Sequence, residues 1–173
     1  MFIGRFTHTI DSKGRLTVPQ RMRNVSAEGD KVLQWVRAVL TLSPQRDSIH
    51  LYLEDAWFRL LRTAAGKFPF PNQETQRFQR LAGGYTQPVE CDQLGRIVVP
   101  QDLKEKAGLE REALWIGATD RAEIWSPDRW NEFIAAHEAD YPTLWDELAS
   151  KSTGEHQHRY HHADLALDTS GAE

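Results

Sequence analysis

Ile10-Asp11-Ser12-Lys13-Gly14-Arg15-Leu16-Thr17-Val18-Pro19-Gln20 returns 81 residues later as Cys91-Asp92-Gln93-Leu94-Gly95-Arg96-Ile97-Val98-Val99-Pro100-Gln101. Asp, Gly, Arg, Val, Pro and Gln occupy the same slots both times. In each copy an Asp precedes a Gly by three residues and an apolar, partly β-branched run follows the Arg. That pattern reads as a tight hairpin turn, with Gly14 and Gly95 free to take the positive φ such a turn needs. Pro19 and Pro100 end the following strands, because proline cannot donate to a ladder but suits a strand end or a helix start. Arg15 and Arg96 therefore stand just past a turn. In a single hairpin the Asp and Arg would be read as a local ion pair of small consequence. Their duplication makes the chain two related halves and gives the pair more weight.

The rest of the chain extends this reading. Asp47, Asp55 and Trp57 match Asp120, Asp128 and Trp130 at a shift of 73, so the first half holds 8 extra residues, placed between Asn24 and Asp47. Residues 2–10 and Arg15–Val18 read as strands, Gln20–Val25 as a short basic helical turn, and Gln101–Ala107 as its counterpart with Gly108 capping it. Two further strands are expected in the first half, one opened by Lys31 and carrying 32–36 and 38–40, the other at 48–53, and in the second half two shorter ones at 113–116 and 122–125. Each half closes with an amphipathic helix. Trp57, Leu60, Leu61 and Ala64 mark the first, and Trp130, Phe133, Ile134 and His137 the second, as core or subunit contacts. Between the halves Gly66–Pro71 reads as a loop, and a helix from Asn72 stops at Gly83-Gly84. Thr143–Ala149 suits one short helical turn, and order is expected to fade from about Ser150. The domain plan is thus 1–65 for the first unit, 66–83 for a connector helix, 84–139 for the second unit, and 140–173 for an acidic, His-containing, largely disordered tail.

With 173 residues the chain can bury a sizeable core. It has no apolar run near the roughly 18 residues a spanning helix requires. Its start lacks the apolar stretch of a signal peptide, which points to a cytoplasmic protein. Cys91 is the single cysteine, so no internal disulfide forms, and it stands where Ile10 stands in the first copy, as a small hydrophobe.

The net charge of −4 is unevenly spread. In residues 1–24 Arg5, Lys13, Arg15, Arg21 and Arg23 face only Asp11, for +4. In the equivalent window, 82–105, Arg96 and Lys104 face Glu90, Asp92, Asp102 and Glu105, for −2. From His137 onward eight acids face two bases, for −6. The positive field gathers at the first hairpin.

There is no P-loop, no nucleophile elbow, no cysteine pair at zinc spacing and no dinucleotide fingerprint, so neither an enzyme nor a cofactor is expected. His156, His158, His161 and His162 have a spacing that can chelate a metal, but in such a polar segment they read as a solvated tail. Hairpins with a basic tip can enter a major groove, where Arg or Lys bonds guanine O6 and N7 and other cations hold phosphates. On that basis Arg15 is the first candidate for base or phosphate contact, Lys13 at the tip the second, and Arg5 a flanking support. Asp11 fixes the turn and orients Arg15. From the residues alone, DNA binding is favoured, with a protein-interaction module and an enzyme as the alternatives.

Met1-Phe2-Ile3-Gly4, the doubled Asp-x-x-Gly-Arg hairpins with their strands and prolines, and Glu123-Ile124-Trp125 before Trp130 together resemble the MraZ family. The resemblance covers about residues 1–140. It implies an α+β fold of tandem AbrB-like (SpoVT-AbrB) swapped-hairpin β-barrel units with flanking helices and pseudo-two-fold symmetry. It further implies a sequence-specific transcriptional regulator on the nucleoid, a ring-like homo-oligomer that binds repeated short G-containing boxes in double-stranded DNA upstream of the division and cell-wall gene cluster, its own operon included. The family's Asp-x-x-x-Arg signature falls on Asp11 and Arg15 and on Asp92 and Arg96, with Gly14 and Gly95 in the turns. Lys13 matches the family's usual basic residue, whereas Leu94 fills that slot in the second copy. The first hairpin is therefore expected to be the main reader.

Overall fold

The computed structural model describes residues 1–26, 32–34, 37–66 and 73–161, of which 25–26, 32–34, 64–66 and 152–161 are described by their backbone alone. Two compact units divide the chain, Met1–Asn131 and Glu132–Glu173.

Each half of the sequence repeats one order of elements, all of them in the first unit except the end of the closing helix of the second half, whose residues from Glu132 belong to the second. The first half runs β1 (Arg5–Thr9), β2 (Arg15–Thr17), α1 (Gln20–Arg23), β3 (Asn24–Ser26), β4 (Val32–Gln34), β5 (Arg37–Leu42), β6 (Ser48–Leu53) and α2 (Glu54–Gly66). After α3 (Gln73–Gly84) the second half runs β7 (Thr86–Glu90), β8 (Arg96–Val98), α4 (Gln101–Lys106), β9 (Glu112–Ala118), β10 (Arg121–Trp125) and α5 (Pro127–His137). The small β3–β4 ladder has no counterpart between α4 and β9, and it falls where the 8 extra residues of the first half were expected. Residues 31, 35 and 36 of the expected strand, and 67–72 of the expected loop, lie outside the described residues.

The main sheet is antiparallel, in the order β1-β9-β10-β6-β5-β7. That order reads the same in both directions when each strand is exchanged for its counterpart, β1 for β7, β9 for β5 and β10 for β6. The edge strands cross over between halves. β1 of the first half pairs with β9 of the second, Phe6 opposite Trp115, and β7 of the second half pairs with β5 of the first, Ala38 opposite Val89. β2 and β8 pair with each other, Leu16 opposite Ile97.

Burial explains why the halves stay engaged. Leu16, Val18 and Met22 are essentially inaccessible, and so are their counterparts Ile97, Val99 and Leu103. Both sets join one core with Leu40, Ile49, Leu51, Trp115 and Ile124. Each half contributes one wall of a common interior, and neither wall is covered by its own half alone. The Trp115 indole N–H donates to the Thr17 carbonyl at 3.1 Å, tying the β2–β8 ribbon to the main sheet. Cys91 packs half-buried against this core, and burial pushes its thiol pKa up.

Several expectations need correction. Among the described residues the sheet is open, with β1 and β7 as edges, where the resemblance implied closed barrels. The first hairpin is linked only by the single bridge Ile10–Leu16 outside its turn, so the ladder does not run on from β1 into β2. The helical turn after Pro19 ends at Arg23 rather than Val25, because the chain extends into β3. α3 runs through Gly83 and ends on Gly84, two residues beyond Ala82. The Tyr85 N–H donates to Leu81 O at 3.1 Å and the Thr86 hydroxyl to Ala82 O at 2.5 Å, which pairs two of the last four carbonyls. Of the two aromatic stripes, Trp57 is buried against Tyr52 and Val39, but Leu60 and Phe133 remain exposed.

In the second unit a 3-10 turn (Glu138–Asp140) leads into α6 (Tyr141–His161), much longer than the single turn expected at Thr143–Ala149. Among the described residues no helix is long and apolar enough to cross a membrane.

At the centre of the main sheet the two halves meet through their own equivalents. Glu123 on β10 pairs in register with His50 on β6, and these are counterparts at the shift of 73. Both side chains are largely buried, at 11% and 12% exposure, with Nε2 of His50 3.4 Å from the carboxylate. Arg121 binds Glu123 at 2.7 Å and the Trp125 indole donates to its other oxygen at 3.0 Å. The buried carboxylate is thus multiply partnered, as such a group must be. Burial lowers the His50 pKa, with Arg121 adding to the effect and Glu123, Asp47 and Asp120 opposing it. A histidine depressed in the fold contributes stability that is present above its unfolded pKa of about 6.5 and is lost as pH falls below it. Between pH 7.5 and 5.5, the urea midpoint of the wild-type chain should therefore drop more than that of His50→Gln. An equal drop in both would place the pH sensitivity elsewhere.

Candidate nucleic-acid interface

The two turns have the same construction. Asp11 Oδ1 accepts from the backbone N–H of Lys13 and of Arg15, both at 2.9 Å, while Oδ2 takes Arg15 Nε at 2.6 Å. Asp92 Oδ1 accepts from the N–H of Leu94 at 2.9 Å and of Arg96 at 2.8 Å, and Oδ2 takes Arg96 Nη2 at 2.8 Å. One carboxylate therefore closes the turn and holds the guanidinium of the same loop. Gly14 and Gly95 take φ of +74° and +77°, a region costly for residues with a β-carbon.

These bonds fix the ionisation of the turn. The Asp11 pKa is brought down to about 2, first by the Arg15 backbone N–H, with the Arg15 side chain and the Lys13 N–H adding to it. Asp92 is also lowered, first by the hydrogen bond from the Arg96 side chain. Both carboxylates stay charged at any physiological pH, so the arginines are held in place throughout that range.

The pairing of β2 with β8 brings the two hairpins together. Arg15 stands opposite Val98 and Thr17 opposite Arg96, so both arginines lie on one face of a two-stranded ribbon. The other face carries Leu16 and Ile97 into the core. The Arg15 side chain is 35% exposed and that of Arg96 29%. Lys13 is exposed at the tip of the first turn, and Leu94 at the tip of the second.

Not every sequence candidate joins this face. Arg5 sits at the far end of β1, opposite Ile116, with its guanidinium over the Trp130 ring at 5.9 Å. Six residue steps along the strand separate it from Asp11, roughly 20 Å at the rise of a strand. Conversely, Arg23 was not singled out from the sequence. It leaves α1 and lies against Gly95, where a β-carbon would run into its guanidinium. Its Nε is buried with no hydrogen-bond partner among the described residues. The first half thus lends a cation to the second hairpin. The usable signal was the basic residue at both Arg23 and its counterpart Lys104. Among the described residues no group of three or more His, Cys, Asp or Glu side chains could hold a metal ion. The side chains of His156, His158, His161 and His162 lie outside those residues.

The fold and this ribbon define an α+β protein with two interleaved Asp-x-x-x-Arg hairpins that share one basic face. A family model described as "MraZ protein, putative antitoxin-like" matches residues 1–81 and 83–150. The chain belongs to the MraZ family. It is 34% identical over 150 residues to a protein of Thermomicrobium roseum named "Transcriptional regulator MraZ", covering 87% of this chain and 99% of that one. Proteins of the same name from Alkaliphilus metalliredigens and Roseiflexus castenholzii are 34% and 33% identical, covering 87% and 86% of this chain and 96% and 97% of theirs.

The Asp11 carboxyl should titrate in the folded chain with a midpoint near 2. Removing the guanidinium in Arg15→Ala should move that midpoint part of the way toward about 3.9. Carboxyl-detected NMR over an acid titration reads both, and an ordinary midpoint in the wild-type chain would mean that the turn is not closed by Asp11.

Proposed function

We propose that the chain is a sequence-specific, non-enzymatic DNA-binding transcriptional regulator that reads duplex DNA through the β2–β8 ribbon. The observation that carries this reading is the shared face of Arg15 and Arg96, each held by a turn carboxylate, above a fully buried opposite face. A two-stranded ribbon fits a major groove, arginine can bond guanine edges bidentately, and flanking cations hold phosphates. The relatives' name, transcriptional regulator, agrees with this use.

Within the ribbon the roles differ. Arg15 and Lys13 are the main contacts, since the first hairpin carries +4 and the second window −2. Arg96 extends the contact along the same groove, and Arg23 lends positive charge beside the second turn. Asp11, Gly14, Asp92 and Gly95 set the turns. Arg5, over Trp130, serves at most a phosphate outside this face.

The crossing of β1 and β7 between halves supports a swapped-hairpin description, with 1–65 and 84–139 as the pseudo-two-fold units, 66–83 as connector and 140–173 as tail. A homo-oligomeric ring of such chains would set several ribbons against repeated boxes and raise affinity through effective concentration. The targets proposed from the family resemblance are boxes upstream of the division and cell-wall genes, including its own operon, with the protein cytoplasmic and on the nucleoid.

A second reading draws on Leu94 and Val98, which are 69% and 56% exposed on the second hairpin and could meet another protein. Salt separates the two, because phosphate contacts make affinity fall steeply as salt rises. In a mobility shift on its own promoter, Arg15→Ala should abolish specific binding, consistent with about 1–3 kcal/mol per lost base contact multiplied over several ribbons. Arg96→Ala should weaken it less. Equal losses would remove the division of roles, and salt-insensitive binding without preference for the box over random duplex would favour the protein-interaction reading.

A further inference from the structure

Among the described residues each unit exposes one apolar surface. In the first unit α2 and α3 leave a trough between them, with adjoining cavities of about 620 and 410 Å³. Trp57, Leu61, Phe78 and Ala82 line both cavities, and Phe58 and Phe78 stand 49% and 51% exposed. In the second unit α6 carries Tyr141, Leu144, Trp145 and Leu148 at i, i+3, i+4 and i+7, exposed by 65%, 51%, 64% and 66%. This is the anchor spacing with which an amphipathic helix lies in a groove. Four large apolar side chains in one stripe form a patch of the kind that marks an interaction site.

The charges around the two surfaces are opposite. Arg46 and Arg62 line the trough against one acid, Glu74, which leaves it net positive. Around the α6 stripe stand Glu138, Asp140, Asp146 and Glu147, and no base occurs from Glu138 to Leu148. The trough therefore suits an acidic, apolar helix, and the chain itself supplies one.

We propose that the α2–α3 trough of one chain receives the Tyr141–Leu148 stripe of a second copy. This inference rests on the self-association proposed above and assigns the contact that produces it. Donor and acceptor are different surfaces, so every chain has one of each to offer. A heterologous contact of this kind propagates from chain to chain and ends in a ring if its rotation closes. The matching charges steer the approach, and the apolar side chains supply the burial.

The test uses the full-length chain and two single variants at exposed positions, Trp145→Glu on the stripe and Phe78→Glu in the trough. Circular dichroism checks that both remain folded, and sedimentation velocity at several micromolar concentrations reads the mass. The wild-type chain should sediment as a multi-chain species and each variant alone as a monomer. Mixed in equal amounts, the variants should form a one-to-one pair, because Trp145→Glu keeps an intact trough and Phe78→Glu an intact stripe. If both folded variants assemble as the wild type does, the contact lies elsewhere and only this inference falls. If the variants are monomeric but do not pair when mixed, the stripe and trough do not meet between chains and the inference again falls. A wild-type chain that is monomeric at every concentration would remove the self-association reading and this inference with it.

Discussion

Two reciprocal backbone hydrogen bonds hold the rest of the structure in register. The Val18 N–H donates to the Gly95 carbonyl and the Val99 N–H to the Gly14 carbonyl, both at 2.9 Å. Each strand end is thus tied to the turn of the other hairpin, through the glycine whose positive φ makes that turn. The constraint works in both directions. The turns cannot open without freeing buried backbone groups, and the buried residues Leu16, Val18, Ile97 and Val99 cannot leave the core without breaking the turns. The crossing of β1 to β9 and β7 to β5 follows from the same geometry, since a hairpin locked against its partner delivers its outer strand to the partner's sheet.

This interlock gives the site its character. Arg15 and Arg96 lie 81 residues apart in the chain, yet β2–β8 pairing sets them on one ribbon. The ribbon's inner face is spent on the common core, so its polar residues have only the outer face to occupy. The turn carboxylates then hold each arginine by its own loop. Precision comes from the backbone and charge from the side chains, which is why two nearly identical turns can differ in electrostatic weight without differing in shape.

Much of this was legible in the sequence because it depends on local chemistry. Asp, Gly and Arg at fixed offsets, and Pro after an apolar run, dictate a turn and a strand whatever surrounds them, and the turns at Asp11–Gly14 and Asp92–Gly95 have that form. The shift of 73 anticipated that β6 and β10 are counterparts. What the sequence could not give was pairing between the halves. Period-2 patterning says which residues of β1 face inward but not that their neighbour is β9. The same limit hid Arg23, whose place against Gly95 is set by a contact across 72 residues. It also let Arg5 be grouped with Lys13 and Arg15 by charge, although the strand carries it to the other end of the sheet. At Gly83-Gly84 the helix stops where the glycines stand, but without a left-handed cap: neither residue takes a positive φ, and α3 runs on through Gly84.

The central claim is that both hairpins act as one binding face, unequal in strength but engaged together. It can be tested by following the Nε–H resonances of Arg15 and Arg96 in the wild-type chain while duplex from its own promoter is added at constant salt. The account predicts that both resonances shift, with one common saturation midpoint. A titration that moves Arg15 and leaves Arg96 unchanged at saturation would contradict it.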